Sequence, residues 1–171
     1  APLARLRVDG GLTRSATLMQ AQADLLGAPV DVFPSADATA LGVAALARLG
    51  VPFTFDIYGG GALEGELRDE IARRGLGDKV RLGGVLDFQT GWVPCLKREA
   101  DIFVCCHPQG DPSSTYPEVM SCGVPIAGYD NEAFVGIVQH SGGGWLSPMN
   151  DPVALAARLA ELHRDRGQIV E

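Results

Sequence analysis

Short β-forming runs alternate with longer helical patterns from one end of this 171-residue sequence to the other. A chain patterned in this way can bury its apolar faces in few ways, chiefly as a parallel sheet covered by helices. The predicted strands are Leu6–Asp9, Val30–Phe33, Phe53–Tyr58, Val80–Gly83, Ile102–Cys106, Pro125–Tyr129 and Gly144–Leu146. The predicted helices are Thr13–Leu26, Ala38–Leu49, Leu63–Arg74, Thr90–Arg98, Pro117–Cys122, Asn131–Gln139 and Pro152–Asp165. Two of these helices carry their own punctuation. The third has Glu66, Asp69 and Glu70 toward its start and Arg73 and Arg74 at its end, which matches the helix dipole. Asp151-Pro152 supplies a cap and a first-turn proline to the last helix, where Val153, Ala156, Ala157, Leu159, Ala160 and Leu162 form a core stripe. With 46% hydrophobic residues the length supports one substantial core, so a single α/β domain over residues 1–171 is expected. Strand order does not follow from the pattern.

A formal charge of -7, with only 14 Lys and Arg and no basic run, argues against nucleic acid or an anionic membrane as partner. A phosphate ligand would have to be held by backbone amides and single cations. The cysteines at 95, 105, 106 and 122 form no CxxC pair, and Cys105 and Cys106 lie in an apolar run. Buried free thiols and a reducing, cytoplasmic setting are therefore expected, with no metal and no cofactor. The apolar stretches fall short of a membrane span, and the first residues lack the pattern of a signal peptide. The oligomeric state is not legible.

Pro117 to Pro125 is the densest local signal. Pro117 suits a first helical turn, Gly123 a C-terminal cap, and Pro125 prevents the helix from continuing, so the apolar run Val124–Ala127 reads as a strand. Glu118 thus sits in a first turn, where the helix dipole stabilises a carboxylate with or without a ligand.

From Val51 onward the segments VPFTFDIYGGGALEGELRDEIARRGLGDKVRLGGVL, LKREADIFVCCHPQGDPSSTYPEVMSCGVPIAGYDNEAF and GGGWLSPMNDPVALAARLAEL occur in an order that resembles the C-terminal domain of a retaining GT-B glycosyltransferase of group 1 (the GT4 family). The resemblance implies a Rossmann-like three-layer αβα sandwich with a mostly parallel sheet. It also implies a site for a UDP- or GDP-type nucleotide sugar at the carboxyl ends of the strands, as in open α/β sheets generally. Gly59, Gly60 and Gly61 match the Gly-rich loop near the donor phosphates, where absent side chains let amides approach an anion. Without the resemblance they read equally as a strand-to-helix turn. Arg81 to Val85, with Gly83 and Gly84, match the strand and turn beside the nucleobase. Glu118 corresponds to the second of two acids seven residues apart, the one that accepts hydrogen bonds from ribose hydroxyls. The first falls on Gly110, so the chain departs from the motif there, with Asp111 adjacent. His107, Asp111, Ser113, Ser114 and Thr115 occupy the loop that contacts sugar and diphosphate in that family, although capping and solvation would also account for them.

The first 50 residues resemble something else. LRVDGGLTRSATLMQAQADLLGAPVDV followed by ATALGVAALARLG is similar to the C-terminal segment of an FGGY carbohydrate kinase. Gly10 and Gly11 would match its loop beside ATP, and Ser15 replaces an adenine-contacting Asn; an ordinary turn explains the glycines as well. The kinase's catalytic Asp precedes the matched segment. The two resemblances meet near Ala45–Gly50, within a predicted helix. The expectation is a chimeric chain, recombined or engineered, in which two α/β fragments share a sheet, with a natural fusion fragment as the alternative. Its function is then a nucleotide-sugar binding half-domain without catalytic residues of its own. The alternatives are a fold chimera with no biological activity and, more remotely, a sugar kinase fragment.

Overall fold

The computed structural model describes residues 6–8, 17, 20, 21, 23, 24, 30–32, 45–61, 64–106 and 114–170. Each of the seven predicted strands is present, shorter or longer by one or two residues. They are β1 (Leu6–Val8), β2 (Val30–Val32), β3 (Phe55–Tyr58), β4 (Val80–Gly84), β5 (Phe103–Cys105), β6 (Ile126–Tyr129) and β7 (Gly144–Ser147). Among the described residues all pairings are parallel, and they fall into three groups: β1 with β2, β3 with β4, and β5-β6-β7 with β6 central. The expectation of one shared sheet is corrected at this point. Leu6, Arg7 and Val8 register with Val30, Asp31 and Val32, so the two kinase-like strands satisfy an edge on each other instead of on β3.

The helices between strands are α1 (Glu64–Arg73), α2 (Val93–Glu99), α3 (Thr115–Ser121), α4 (Glu132–Ser141), α5 (Pro152–Arg164) and α6 (Gly167–Val170). Of the two helices predicted before β3, residues 17, 20, 21, 23, 24 and 45–49 are described; all are helical but Leu49, which lies in a turn. In α1, Glu70 accepts hydrogen bonds from both Arg73 and Arg74, and Glu64 pairs with Arg68 at 3.0 Å. Two boundaries differ from expectation. The helix predicted from Thr90 begins at Phe88 as a π-helical turn, because Asp87 caps it by accepting from Thr90 N (2.8 Å) and Thr90 Oγ1 (2.6 Å). That wide turn passes into α2 at Pro94, which has no N–H to continue it. The helix predicted from Pro117 begins at Thr115. Its first donor is Glu118 N, to Ser114 O at 3.2 Å, so a proline in its third position forfeits no hydrogen bond.

The β5-β6-β7 sheet is the centre of the layered core. On one face Tyr116, Val119 and Phe134, from the α3 and α4 side, pack with Leu96, Cys105, Val124 and Ile126. On the other, Ala127 and Tyr129 meet Leu155 of α5 and Cys106. Every residue of β6 is buried, as a central strand covered on both faces requires. Phe55, Ile57 and Leu82 pack on Ile71, Leu76 and Val80, which covers one face of the β3-β4 pair with α1. All four cysteines are free. No helix among the described residues is long and apolar enough to cross a membrane.

Candidate functional site

The strands of each described sheet run in one direction, so their carboxyl ends, where ligands of open α/β sheets bind, gather the connecting loops. At the end of β3, Gly59 adopts φ +134°, a conformation open to glycine, and its N–H donates to Gly84 O at 2.7 Å. Gly59, Gly60 and Gly61 are exposed and lead into α1, where Glu64 N bonds Gly61 O. The first turn of α1 carries Glu64 and Glu66, and Glu64 is paired with Arg68.

The Arg81 side chain is largely exposed and pairs with Asp56. In the β3-β4 register it lies opposite Asp56, and its guanidinium makes a two-point contact with that carboxylate at 2.5 and 2.6 Å. The same contact holds the Arg81 pKa above its ordinary value. Two residues along on this face, the Tyr58 ring covers Gly83. A Cβ there would lie 2.3 Å from the ring, so the close approach requires glycine. Tyr58 makes an edge contact with Trp92, with centroids 6.0 Å apart, and its hydroxyl accepts from Cys95 Sγ at 3.3 Å. The Cys95 contact and burial push the Tyr58 phenol up to about 12.

Beside this cluster a cavity of about 530 Å³ separates β3 from β5. Thr54–Gly59 form one wall and Ile102–Val104 with Cys106 the other, while Trp92, Cys95 and Glu99 close the side near α2. Gly59, Val85 and Thr115 lie along its lining, and the Val85 side chain is 80% exposed. Glu118, one turn into α3, is half-buried, and no described residue hydrogen-bonds its carboxylate. Ser114 is exposed just before α3 and makes no side-chain cap. The structure therefore brings Gly59, Val85 and Thr115 to one cavity. Gly60, Gly61, Arg81, Gly83, Ser114 and Glu118 are outside its lining. Gly10, Gly11 and Asp111 lie outside the described residues, as do Arg14, Ser15, His107, Gly110 and Ser113.

The cavity's aromatic wall was not anticipated from sequence. Its signal was available in part: Asp56 and Tyr58 alternate onto one face of a strand, as do Arg81 and Gly83. Which of these face one another depends on strand register, which the sequence does not print.

Residues 32–165 match the description of the glycosyl transferases group 1 family. The chain belongs to that family. Residues 1–50 of this glycosyltransferase-family chain also match the C-terminal domain of the FGGY family of carbohydrate kinases, so the two matches overlap over residues 32–50. Among curated relatives, the amylovoran biosynthesis glycosyltransferase AmsK of Erwinia amylovora is 31% identical over 134 residues, covering 73% of this chain and 32% of AmsK. The glycerol kinase of Bordetella parapertussis is 58% identical over 52 residues, covering 30% of this chain and 10% of the kinase. Among solved structures, Anabaena Alr3699/HepE in complex with UDP and glucose superposes with a TM-score of 0.65 at 19% identity, covering 91% of this chain and 45% of that one. That likeness establishes the Rossmann-like αβα fold. The chain thus spans about a third of the glycosyltransferase and a tenth of the kinase.

Proposed function

We propose that this chain binds the nucleotide of a UDP- or GDP-linked sugar at the carboxyl ends of β3, β4 and β5. The observation that carries the reading is the Glu118 carboxylate. It is held in the first turn of α3, half-buried and without a partner among the described residues. Two adjacent ribose hydroxyls are the donors such a carboxylate accepts best. Gly59 at the neighbouring strand end, with Gly60 and Gly61, offers amides to the diphosphate, and the backbone from Gly83 to Val85 offers groups to the base edge. Group 1 membership and the fold shared with a protein solved with UDP and glucose support this assignment.

Transfer of the sugar asks for more than binding. A departing diphosphate needs positive charge aimed at it, and losing one such donor costs about 3 kcal/mol of transition-state stabilisation. Arg81 is paired with Asp56, and Glu64 and Glu66 stand at the loop. Binding without turnover is expected of this chain. Calorimetric or NMR titration with UDP, GDP and their glucose conjugates tests the reading. Glu118→Gln, which keeps the shape and removes the charge, should weaken binding about tenfold, or ~1.4 kcal/mol. No binding at millimolar nucleotide, or binding indifferent to Glu118→Gln, would sink it. Absence of binding would select a second reading, a fold chimera with no biological activity, which is favoured by the kinase-family match over residues 1–50.

A further inference from the structure

The cavity between β3 and β5 is aromatic where it meets α2. Tyr58, Trp92 and Phe103 all belong to its lining, and none of the three is fully buried. The Trp92 ring stands at 71° to Tyr58 with centroids 6.0 Å apart, and at 81° to Phe103 with centroids 6.5 Å apart. Rings that meet edge to face cannot close all their faces on one another, so aromatic surface is left to the cavity. The charge in the described lining is of one sign. Asp56 and Glu99 contribute carboxylates, and no Lys, Arg or His stands among the described lining residues. Asp56 is taken up by Arg81, whereas Glu99 is exposed at the end of α2 and its charge reaches the Tyr58 hydroxyl. Lys97 and Arg98, its neighbours in the last turn of α2, lie outside the lining.

We propose that this corner of the cavity binds a quaternary ammonium group, its methyls resting on Tyr58, Trp92 and Phe103 and its charge balanced by Glu99. Aromatic faces carry the negative side of a quadrupole and attract a cation that gives up little hydration on leaving water. Other cations fit less well. A primary ammonium brings three N–H donors that each need an acceptor, and a metal ion asks for several ligating side chains. No cluster of three or more metal-ligating side chains occurs among the described residues. A quaternary ammonium donates no hydrogen bond, so rings and one carboxylate satisfy it. Tyr58 is held for this role from two sides: its ring lies over Gly83, and its hydroxyl accepts from Cys95 Sγ at 3.3 Å. The volume of about 530 Å³ leaves room for a substituent on the ammonium, and a net charge of -7 favours the approach of a cation. An anionic diphosphate gains nothing from this corner, so the inference goes beyond the nucleotide reading and does not rest on it.

The test is an NMR titration of the full chain, without nucleotide, with choline and separately with 3,3-dimethylbutan-1-ol. The alcohol keeps the shape of choline and has carbon in place of the charged nitrogen. The chain has two tryptophans, and their indole N–H signals report on different places. Trp92 lies in the cavity, whereas Trp145 packs with Ala127 and Leu155, outside its described lining. Choline is expected to shift Trp92, leave Trp145 in place, and bind at least about tenfold more tightly than the alcohol. Glu99→Gln should weaken choline about threefold and leave the alcohol unaffected, and Trp92→Leu should weaken choline about tenfold. Glu99 is exposed, so its variant decides the matter if Trp92→Leu fails to fold. The proposal is overturned if ~50 mM choline leaves Trp92 unmoved, since binding that weak lies outside any specific site. It is overturned equally if the two probes bind alike or if Glu99→Gln leaves choline binding unchanged. Equal shifts at Trp92 and Trp145 would also overturn it, because they would mark unspecific attraction to an acidic chain.

Discussion

Tyr129 shows how a single atom can oppose the fold that contains it. It ends the central strand β6 with no exposed surface, and its hydroxyl is buried without a hydrogen-bond partner among the described residues. An unsatisfied buried hydroxyl costs about 1–3 kcal/mol, whereas the ring around it contributes favourable packing. Tyr129→Phe keeps the ring and removes the cost. Urea unfolding at pH 7 should therefore show the variant more stable by about 1 kcal/mol. Its pH dependence adds a second readout. Burial, then the neighbouring Cys106 and Asp151, push the Tyr129 phenol from 10.0 up to about 12. A raised folded pKa contributes stability that is complete below pH 10 and lost as pH rises through 12. Thermal melts between pH 9 and 12 should fall less steeply for the variant, and equal slopes would refute the assignment. At this scale the sequence shows which residue types are present and hides most of their partners. The first-turn position of Glu118 was legible because Pro, Glu and Gly punctuate a single helix, a local signal. The Asp56–Arg81 contact joins residues 25 apart through strand register, which no local pattern encodes.

At the scale of elements, existence and type were legible because periodicity and punctuation act within a few residues of each other. Asp151 occurs where a cap was expected and Asn131 at the start of a predicted helix, and both cap. Asn131 accepts from Phe134 N at 2.8 Å to start α4, and Asp151 accepts from Val153 N and Ala154 N to start α5. Their surroundings separate the two. Asn131 is 1% exposed and its amide also reaches the Tyr116 hydroxyl at 3.4 Å, so its loss leaves polar groups stranded in the core. Asp151 is half-exposed, and water can replace it. Asn131→Ala should destabilise by about 2 kcal/mol and Asp151→Ala by about 1, measured by chemical denaturation. Equal costs would show that burial is not what separates them. The boundaries that escaped sequence reading have physical causes as well. Asp87 was not recognised as a cap because the wide π-helical turn delays the helical pattern it introduces. The helix at Glu118 begins before its proline because the first helical residues need no N–H to donate.

For the whole molecule, alternating β and α segments restrict the architecture to a layered parallel fold, yet leave open which edges meet. Strand order depends on pairings between distant segments, and here those segments resemble two families, so local consistency does not extend across the join. Charge is also a property of the whole. With a net charge of -7 the folded chain repels itself at neutral pH, and its response to acid depends on carboxylates that folding holds in their charged form. Two are identifiable among the described residues. Hydrogen bonds from Arg73 and then Arg74 hold Glu70 below its ordinary 4.5, and the Thr90 side chain and backbone hold Asp87 below 3.8. A depressed folded pKa contributes stability that is complete above the unfolded value and lost as pH falls through the folded one. Melting temperature should therefore stay level from pH 7 to about 5 and decline below 4.5. Glu70→Gln mimics the protonated acid, so the variant should melt below the unmodified chain at pH 7 and converge with it as the pH falls toward 3. Circular dichroism melts across that range measure the gap. A gap that persists in acid would mean that Glu70 supports α1 by its packing and hydrogen bonds, independently of its charge.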